Sequence, residues 1–257
     1  MDIQMRKIVL CAAAVPALIL ACPGANGAPA DSSMPQLTLP NTPLAEAAAV
    51  ADTMPTFTAS VTGASNYIFR GVSQTENDPA IFGSARATLN GFYAGAGMEN
   101  VDFHNSIAAE YDLSAGWTPK VEGFDLDLGI VRYGYVNEPA HIHIDTAEIK
   151  GVATHDFGPV TLGAAVFYTP NYFGTGHDGE YFEGRAAYAI TEKLTASGAL
   201  GRQLITTGAS FTTWNAGLGF AITKNFGVDV HYYDTEDQSH LGKLHGSHVV
   251  GAIKASF

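Results

Sequence analysis

The sequence predicts an all-β fold: a closed antiparallel transmembrane β-barrel of about 12 strands, with both termini periplasmic. Three observations carry this expectation. From residue 56 onward, apolar and polar residues alternate with period two in twelve segments, most as long as the 9–11 residues that a tilted strand needs to cross a bilayer. Short turns alternate with longer polar loops, with a shorter loop at 102–105, the asymmetry of outer-membrane barrels. The last segment ends on an aromatic residue in phase with its own apolar face.

The N-terminus reads as an export signal over residues 1–27. Arg6 and Lys7 precede an apolar run at 8–22, and small residues after Pro23 suit cleavage next to Gly27, Ala28 or Ala30. The run holds only fifteen residues and contains Pro16, whereas a spanning helix needs about 20. LILAC, residues 18–22, is also compatible with a lipobox that would acylate Cys22. Cys11 and Cys22 are the chain's two cysteines, so the exported domain has no disulfide to rely on. The proline-rich stretch 28–55 reads as a periplasmic linker, and residues 56–257 as the barrel.

Strands are expected near 56–69, 80–90, 92–101, 106–117, 124–136, 145–155, 160–169, 181–190, 193–204, 212–222, 226–234 and 247–257. The two faces of a strand differ sharply. In 106–117, Ile107, Ala109, Tyr111, Leu113, Ala115 and Trp117 oppose Ala108, Glu110, Asp112, Ser114 and Gly116. In 124–131, Phe124, Leu126, Leu128 and Ile130 oppose Asp125, Asp127, Gly129 and Val131, and 226–233 repeats the theme. One face suits lipid and the other suits water, which a closed barrel reconciles by pairing all its backbone groups between strands. The final strand puts Phe257, Ala255, Ile253, Gly251 and Val249 on the apolar face, a pattern suited to recognition by the barrel assembly machinery.

Residues 65–103, SNYIFRGVSQTENDPAIFGSARATLNGFYAGAGMENVDF, closely resemble the N-terminal half of the TorF-family porins, whose pattern runs Tyr-x-Phe-Arg-Gly-x-Ser-Gln-Thr, then Gly-Phe-Tyr, then Asn-Val-Asp-Phe. The likeness continues through AAEYDLSAGW, DLGIVRYGY and FYTPNYFG, so that it covers nearly all of 56–257. It departs at Tyr135-Val136-Asn137 and at Ile81-Phe82-Gly83. The resemblance implies passive passage of small hydrophilic solutes or ions across the outer membrane.

Within that phase, Tyr67 and Phe69 are expected in the extracellular aromatic girdle, with Arg70 pointing into the barrel mouth. Arg70 could act as a fixed charge, as an anchor folding loop 71–79 inward, or as the partner of a wall acid such as Glu99 or Asp112. The inward acids would be Glu99, Glu110, Asp112, Asp125, Asp127, Glu148, Glu183 and Asp229, against the bases Arg70, Arg86, Lys150, Arg185 and Lys254. Their excess implies a weak cation preference. The net charge of −12 makes nucleic acid a poor partner. The expected partners are outer-membrane lipid and lipopolysaccharide, the assembly machinery, and solutes or ions.

No cofactor, metal site or catalytic residue is assigned. His141, His143 and Asp145, and Asp237, His240, His245 and His248, have the residue types but no dictated convergence for a metal. Three classes remain open: a diffusion channel, an outer-membrane lipid-modifying enzyme, and a pore-free barrel. The enzyme predicts serine and histidine meeting on the lipid-facing rim, whereas the channel predicts charges converging inside.

Overall fold

A computed structural model describes residues 54–206, 208, 210–236 and 242–257. The signal at 1–27, most of the linker at 28–55, and both Asp237 and His240 lie outside the described residues.

Twelve long strands form the wall: β1 Thr56–Ala64, β2 Ala80–Leu89, β3 Phe92–Asn100, β4 Ala109–Trp117, β5 Phe124–Val136, β6 Thr146–Phe157, β7 Val160–Thr169, β8 Gly179–Ala189, β9 Leu194–Ile205, β10 Phe211–Ala221, β11 Phe226–Thr235 and β12 His248–Ser256. Each pairs antiparallel with its sequence neighbours, and β1 pairs β12 from Ser60↔Ser256 to Ala64↔Ala252, which closes the sheet. Closure leaves no wall strand with an open edge. The first and last wall strands meet at one end, where the Phe257 amide donates to Ala59 and the Ala59 amide to Phe257. A two-residue strand, Lys120–Val121, extends the β4–β5 hairpin.

The alternation has the expected phase along the wall. Leu113, Leu128, Ile130, Val230 and Ile253 point outward and are exposed, whereas Asp112, Asp127, Val131 and His231 point inward and are buried. The exterior therefore carries large apolar side chains from every wall strand but none of the buried acids, as a lipid-facing surface requires. Trp117 stacks on Phe92 at 5.9 Å at the short-turn end, an aromatic pair at the margin of this belt. Leu128 lies near the middle of β5. Leu128→Arg should cost about 2–4 kcal/mol at the bilayer midplane. An unfolding titration in lipid checks it, and an arginine as mild there as Leu128→Ala would overturn the phase of β5.

The first strand differs from expectation. It ends at Ala64 instead of Phe69, and Tyr67 and Phe69 lie not in an outer girdle but inside the barrel, each about 1% exposed. The reason is local. Ile68–Phe69 pairs with Val72–Ser73 in a separate two-stranded ladder, and Arg70 and Gly71 between them have φ of 45° and 84°. Two successive left-handed residues make the two-residue turn that reverses a chain while matching strand twist. The chain thus leaves the wall, folds back into the lumen, and rejoins the wall at Ala80.

Candidate functional site

The inner hairpin organises the interior. Its turn presses against the wall so closely that a Cβ on Gly71 would overlap the hydroxyls of Thr213 and Thr235, and Thr235 Oγ1 donates to the Gly71 carbonyl at 2.8 Å. Only glycine meets both that approach and the positive φ. Around the hairpin, Asn66 ties the loop to itself: its Oδ1 accepts from Ser73 Oγ at 2.7 Å and from Thr75 Oγ1 at 3.2 Å. The hairpin then packs into an apolar cluster with Phe82, Val131, Tyr133, Phe211 and Phe173. Phe173, in a second inward loop, sits at φ 44°, and Gly174 beside it passes so near the His143 carbonyl that no Cβ would fit.

Arg70 is the charged tip of this insertion. Its Nη2 donates to Glu148 Oε2 at 2.9 Å and its Nη1 to Gln203 Oε1 at 2.7 Å, with the guanidinium 4.1 Å over the Tyr181 ring and 5.0 Å from that of Phe167. A planar, delocalised cation is the side chain suited to a fork and a ring face together. The partner is Glu148 on β6, not Glu99 or Asp112, because the inner hairpin carries the arginine across the lumen.

The other predicted charges divide into groups. Asp127 accepts from Tyr93 Oη at 2.8 Å and from Lys150 Nζ at 2.9 Å. The Arg86 guanidinium lies 3.4 Å from the centroid of the Tyr93 ring. Glu183 accepts from Tyr181 Oη at 2.9 Å and lies 3.9 Å from Arg185. Asp125 faces inward only at the short-turn end, where it meets exposed Lys120 at 3.3 Å. Glu99, Glu110 and Asp112 converge on one patch of wall, with acid oxygens within 4.8 Å of one another. Lys254 is half-buried on β12.

Above that acid patch stands Tyr67. Its ring meets Phe82 edge-on at 5.0 Å, and Phe82 is the cross-strand partner of Glu99. Burial, and then the charges of Glu110, Glu99 and Asp112, push the Tyr67 phenol well above its ordinary range, so it stays a protonated donor. Sequence reasoning placed the wall charges but missed Gln203, Tyr93, Tyr181 and Tyr67 as their polar neighbours. The alternation does signal that Gln203, Tyr93 and Tyr181 face inward, but not which wall residue each would reach across the lumen.

Serine and histidine do meet, though not on the rim. Ser197 Oγ lies 3.3 Å from His231 Nε2, and His231 Nδ1 lies 3.2 Å from Asn215 Oδ1, all facing the lumen. Asp229 Oδ2 also lies 3.2 Å from the same Nε2. The Asp229 carboxylate thus competes with the Ser197 hydroxyl for the same ring nitrogen, which disfavours the ring's service as a base toward Ser197. Among the described residues, the histidines weighed for a metal lie apart in their contacts: His143 is exposed beside Glu138, Asp145 pairs with Arg132, His245 is buried against Phe211, and His248 lies 3.2 Å from the Leu244 carbonyl.

A family model described as a bacterial protein of unknown function (Gcw_chp) matches residues 48–257. No curated protein matches the sequence. Among solved structures, the chain is similar to the KdgM porin, at 11% identity and a TM-score of 0.56, over 78% of this chain and 99% of that one. It is likewise similar to the KdgM porin in complex with disordered oligogalacturonate, at 13% identity, a TM-score of 0.54, and 78% and 99% coverage. The NanC porin matches at 12% identity and a TM-score of 0.55, over 77% of this chain and 98% of that one. At these identities the likeness establishes a shared fold and nothing finer.

Proposed function

The chain belongs to the Gcw_chp family of bacterial proteins, and we propose that it is an outer-membrane porin with a narrow, charge-lined passage constricted by its own first loop, residues 65–79. One observation carries this reading. A lipid-compatible exterior surrounds an inner wall of ionisable side chains, and the inserted hairpin is held to that wall by Arg70, a hydrogen-bonded cation that a purely apolar plug would not need. The resemblance of residues 65–103 to the TorF-family porins supports the same reading.

Export by residues 1–27, a linker at 28–55 and periplasmic termini complete the picture, with Phe257, Ala255 and Ile253 as the signal read by the assembly machinery. Lipid and lipopolysaccharide would cover the exterior. Small ions and hydrophilic solutes would pass, their selection set by Arg70, Glu99, Glu110, Asp112, Asp125, Asp127, Glu148, Lys150 and Arg185. Acids outnumber bases on this wall, so cations are favoured, whereas a polyanion such as the oligogalacturonate of the KdgM complex would be repelled. We assign no catalysis, because the lumenal Ser197–His231 contact faces away from lipid and is contested by Asp229.

Planar-bilayer recordings of the purified, refolded protein test this. A small conductance is expected, with a reversal potential on the cation side in a salt gradient and a preference that weakens as salt screens the wall. Anion selectivity, or silence in both the native chain and Arg70→Ala, would overturn the proposal.

A further inference from the structure

The loop between β7 and β8, residues 170–178, is rooted on the pair Thr169↔Gly179, and the next lumen-facing pair along the same two strands is Phe167↔Tyr181. The Arg70 guanidinium lies over those two rings, at 5.0 Å and 4.1 Å. The tip of the inner hairpin is therefore deeper in the lumen than the root of this loop. From that root the loop folds inward: Tyr172 and Phe173 are at most 2% exposed, whereas Pro170, Asn171, Gly174, Gly176 and His177 on either side are exposed. Phe173 meets Phe69 of the hairpin edge-on at 6.3 Å and Tyr133 of β5 at 5.9 Å. The hairpin is tethered to Ala64 and Ala80, both at the long-loop end, so it can leave the lumen only at that end, and Phe173 stands across its way.

The seated loop carries two unfavourable features. Phe173 is held at φ 44°, a left-handed conformation that a bulky aromatic residue rarely adopts, and the buried Tyr172 hydroxyl reaches no hydrogen-bond partner among the described residues. Swinging the loop outward relieves both. To the wall it is tied by Thr146 Oγ1 of β6, which donates to the Asn171 carbonyl at 2.7 Å. The bonds from the Tyr172 amide to the His177 carbonyl and from the Gly176 amide to Asn171 Oδ1, each 2.8 Å, are internal to the loop and can move with it.

Given the porin reading, in which the hairpin constricts the passage, we propose that residues 170–178 form a lid that must swing outward before the hairpin can leave the lumen. The constriction then opens in a fixed order, lid first. Withdrawal of the hairpin requires both steps, so its frequency is the product of two opening equilibria, and anything that unseats the lid raises it in proportion. Arg70 sets the second equilibrium through Glu148 and Gln203, and the lid sets the first.

Thiol labelling of the refolded full chain tests the order and needs no current, so its outcome is separate from that of the bilayer recordings. With Cys11 and Cys22 replaced by serine, Val72→Cys, at a hairpin position 0% exposed, supplies the only thiol, and its rate of reaction with a membrane-impermeant maleimide reports hairpin withdrawal. Gly174 has φ 72°, and the atoms nearest to a Cβ there belong to His143 and Ile144, not to the hairpin. Gly174→Ala thus unseats the lid without touching the hairpin and should speed Val72→Cys labelling roughly tenfold or more. Thr146→Val, which removes the donor to Asn171, should speed it in the same direction. Ala187→Cys, an inward wall thiol toward the short-turn end of β8, should label at an unchanged rate in both backgrounds. Heat-modified migration reports folding, and if Gly174→Ala does not fold, Thr146→Val decides. A folded lid variant that leaves Val72→Cys labelling at the native rate overturns the lid, and so does equal acceleration at Ala187→Cys, which would mean a general loosening of the barrel.

Discussion

Arg70→Ala should lower barrel stability by about 3–5 kcal/mol and raise conductance, the combination expected when one side chain both satisfies a buried acid and holds a constriction. Its side chain is fully buried, and so is that of Glu148. Removing the cation leaves Glu148 desolvated without its counter-charge and strips Gln203 of its 2.7 Å donor. The inner turn would then keep Thr235 and the apolar contacts of Phe69 but lose its electrostatic anchor.

Arg70→Lys should not rescue, because an ammonium cannot hold Glu148 and Gln203 in a fork while lying flat over Tyr181. Arg70→Met with Glu148→Met should recover most of the lost stability, since both charges leave together. It should also keep the enlarged, noisier open level, since the anchor is still gone. The unfolding midpoint in lipid and single-channel records measure the two effects separately. A stable, unaltered Arg70→Ala would mean that the loop is held by packing alone.

The wall was legible in the sequence because a barrel strand has a single periodic rule. Leu128 and Asp127 differ in face by one position, and no tertiary contact can change that without slipping the whole strand. The closing pair β1–β12 was legible for the same reason, since Phe257 had to fall in phase with Ile253. The inner hairpin obeys the same period-two pattern as the wall, so Tyr67 and Phe69 read as a continuation of β1. What distinguishes them is Arg70-Gly71 between Ile68-Phe69 and Val72-Ser73, a two-residue turn whose first left-handed position is taken by arginine instead of the usual asparagine or glycine.

Pairing inside the lumen was less legible. Periodicity says that Glu148, Asp127 and Arg70 face inward, but not which of them meet, because neighbours across a lumen are far apart in sequence. Arg70 and Glu148 are 78 residues apart, joined by a hairpin that leaves the wall. The count of acids over bases takes on another meaning in the structure: several of these charges are locked in pairs, so each of those matters first to the architecture.

Asp127 shows how large that change is. Read from the sequence alone, Asp127→Asn replaces one solvated lumen carboxylate and should cost little. In the structure it should cost about 3–5 kcal/mol, because Lys150, its side chain fully buried, loses its 2.9 Å partner and the Tyr93 hydroxyl loses its 2.8 Å acceptor. Lys150 lies 5.5 Å from the Tyr93 ring centroid, farther than the 3.4 Å of Arg86, so the ring offers the ammonium little compensation. Removing the ammonium as well, in Asp127→Asn with Lys150→Met, should restore much of the stability and yield a coupling energy of opposite sign to the single losses. Asp125→Asn, at a half-exposed position beside exposed Lys120, should stay within about 1 kcal/mol of the native barrel. Unfolding titrations of these three variants and of Lys150→Met alone, all in one lipid, decide it. If Asp127→Asn proves as mild as Asp125→Asn, Lys150 must be reaching water, and the lumen at that level is wider and wetter than its buried side chains imply.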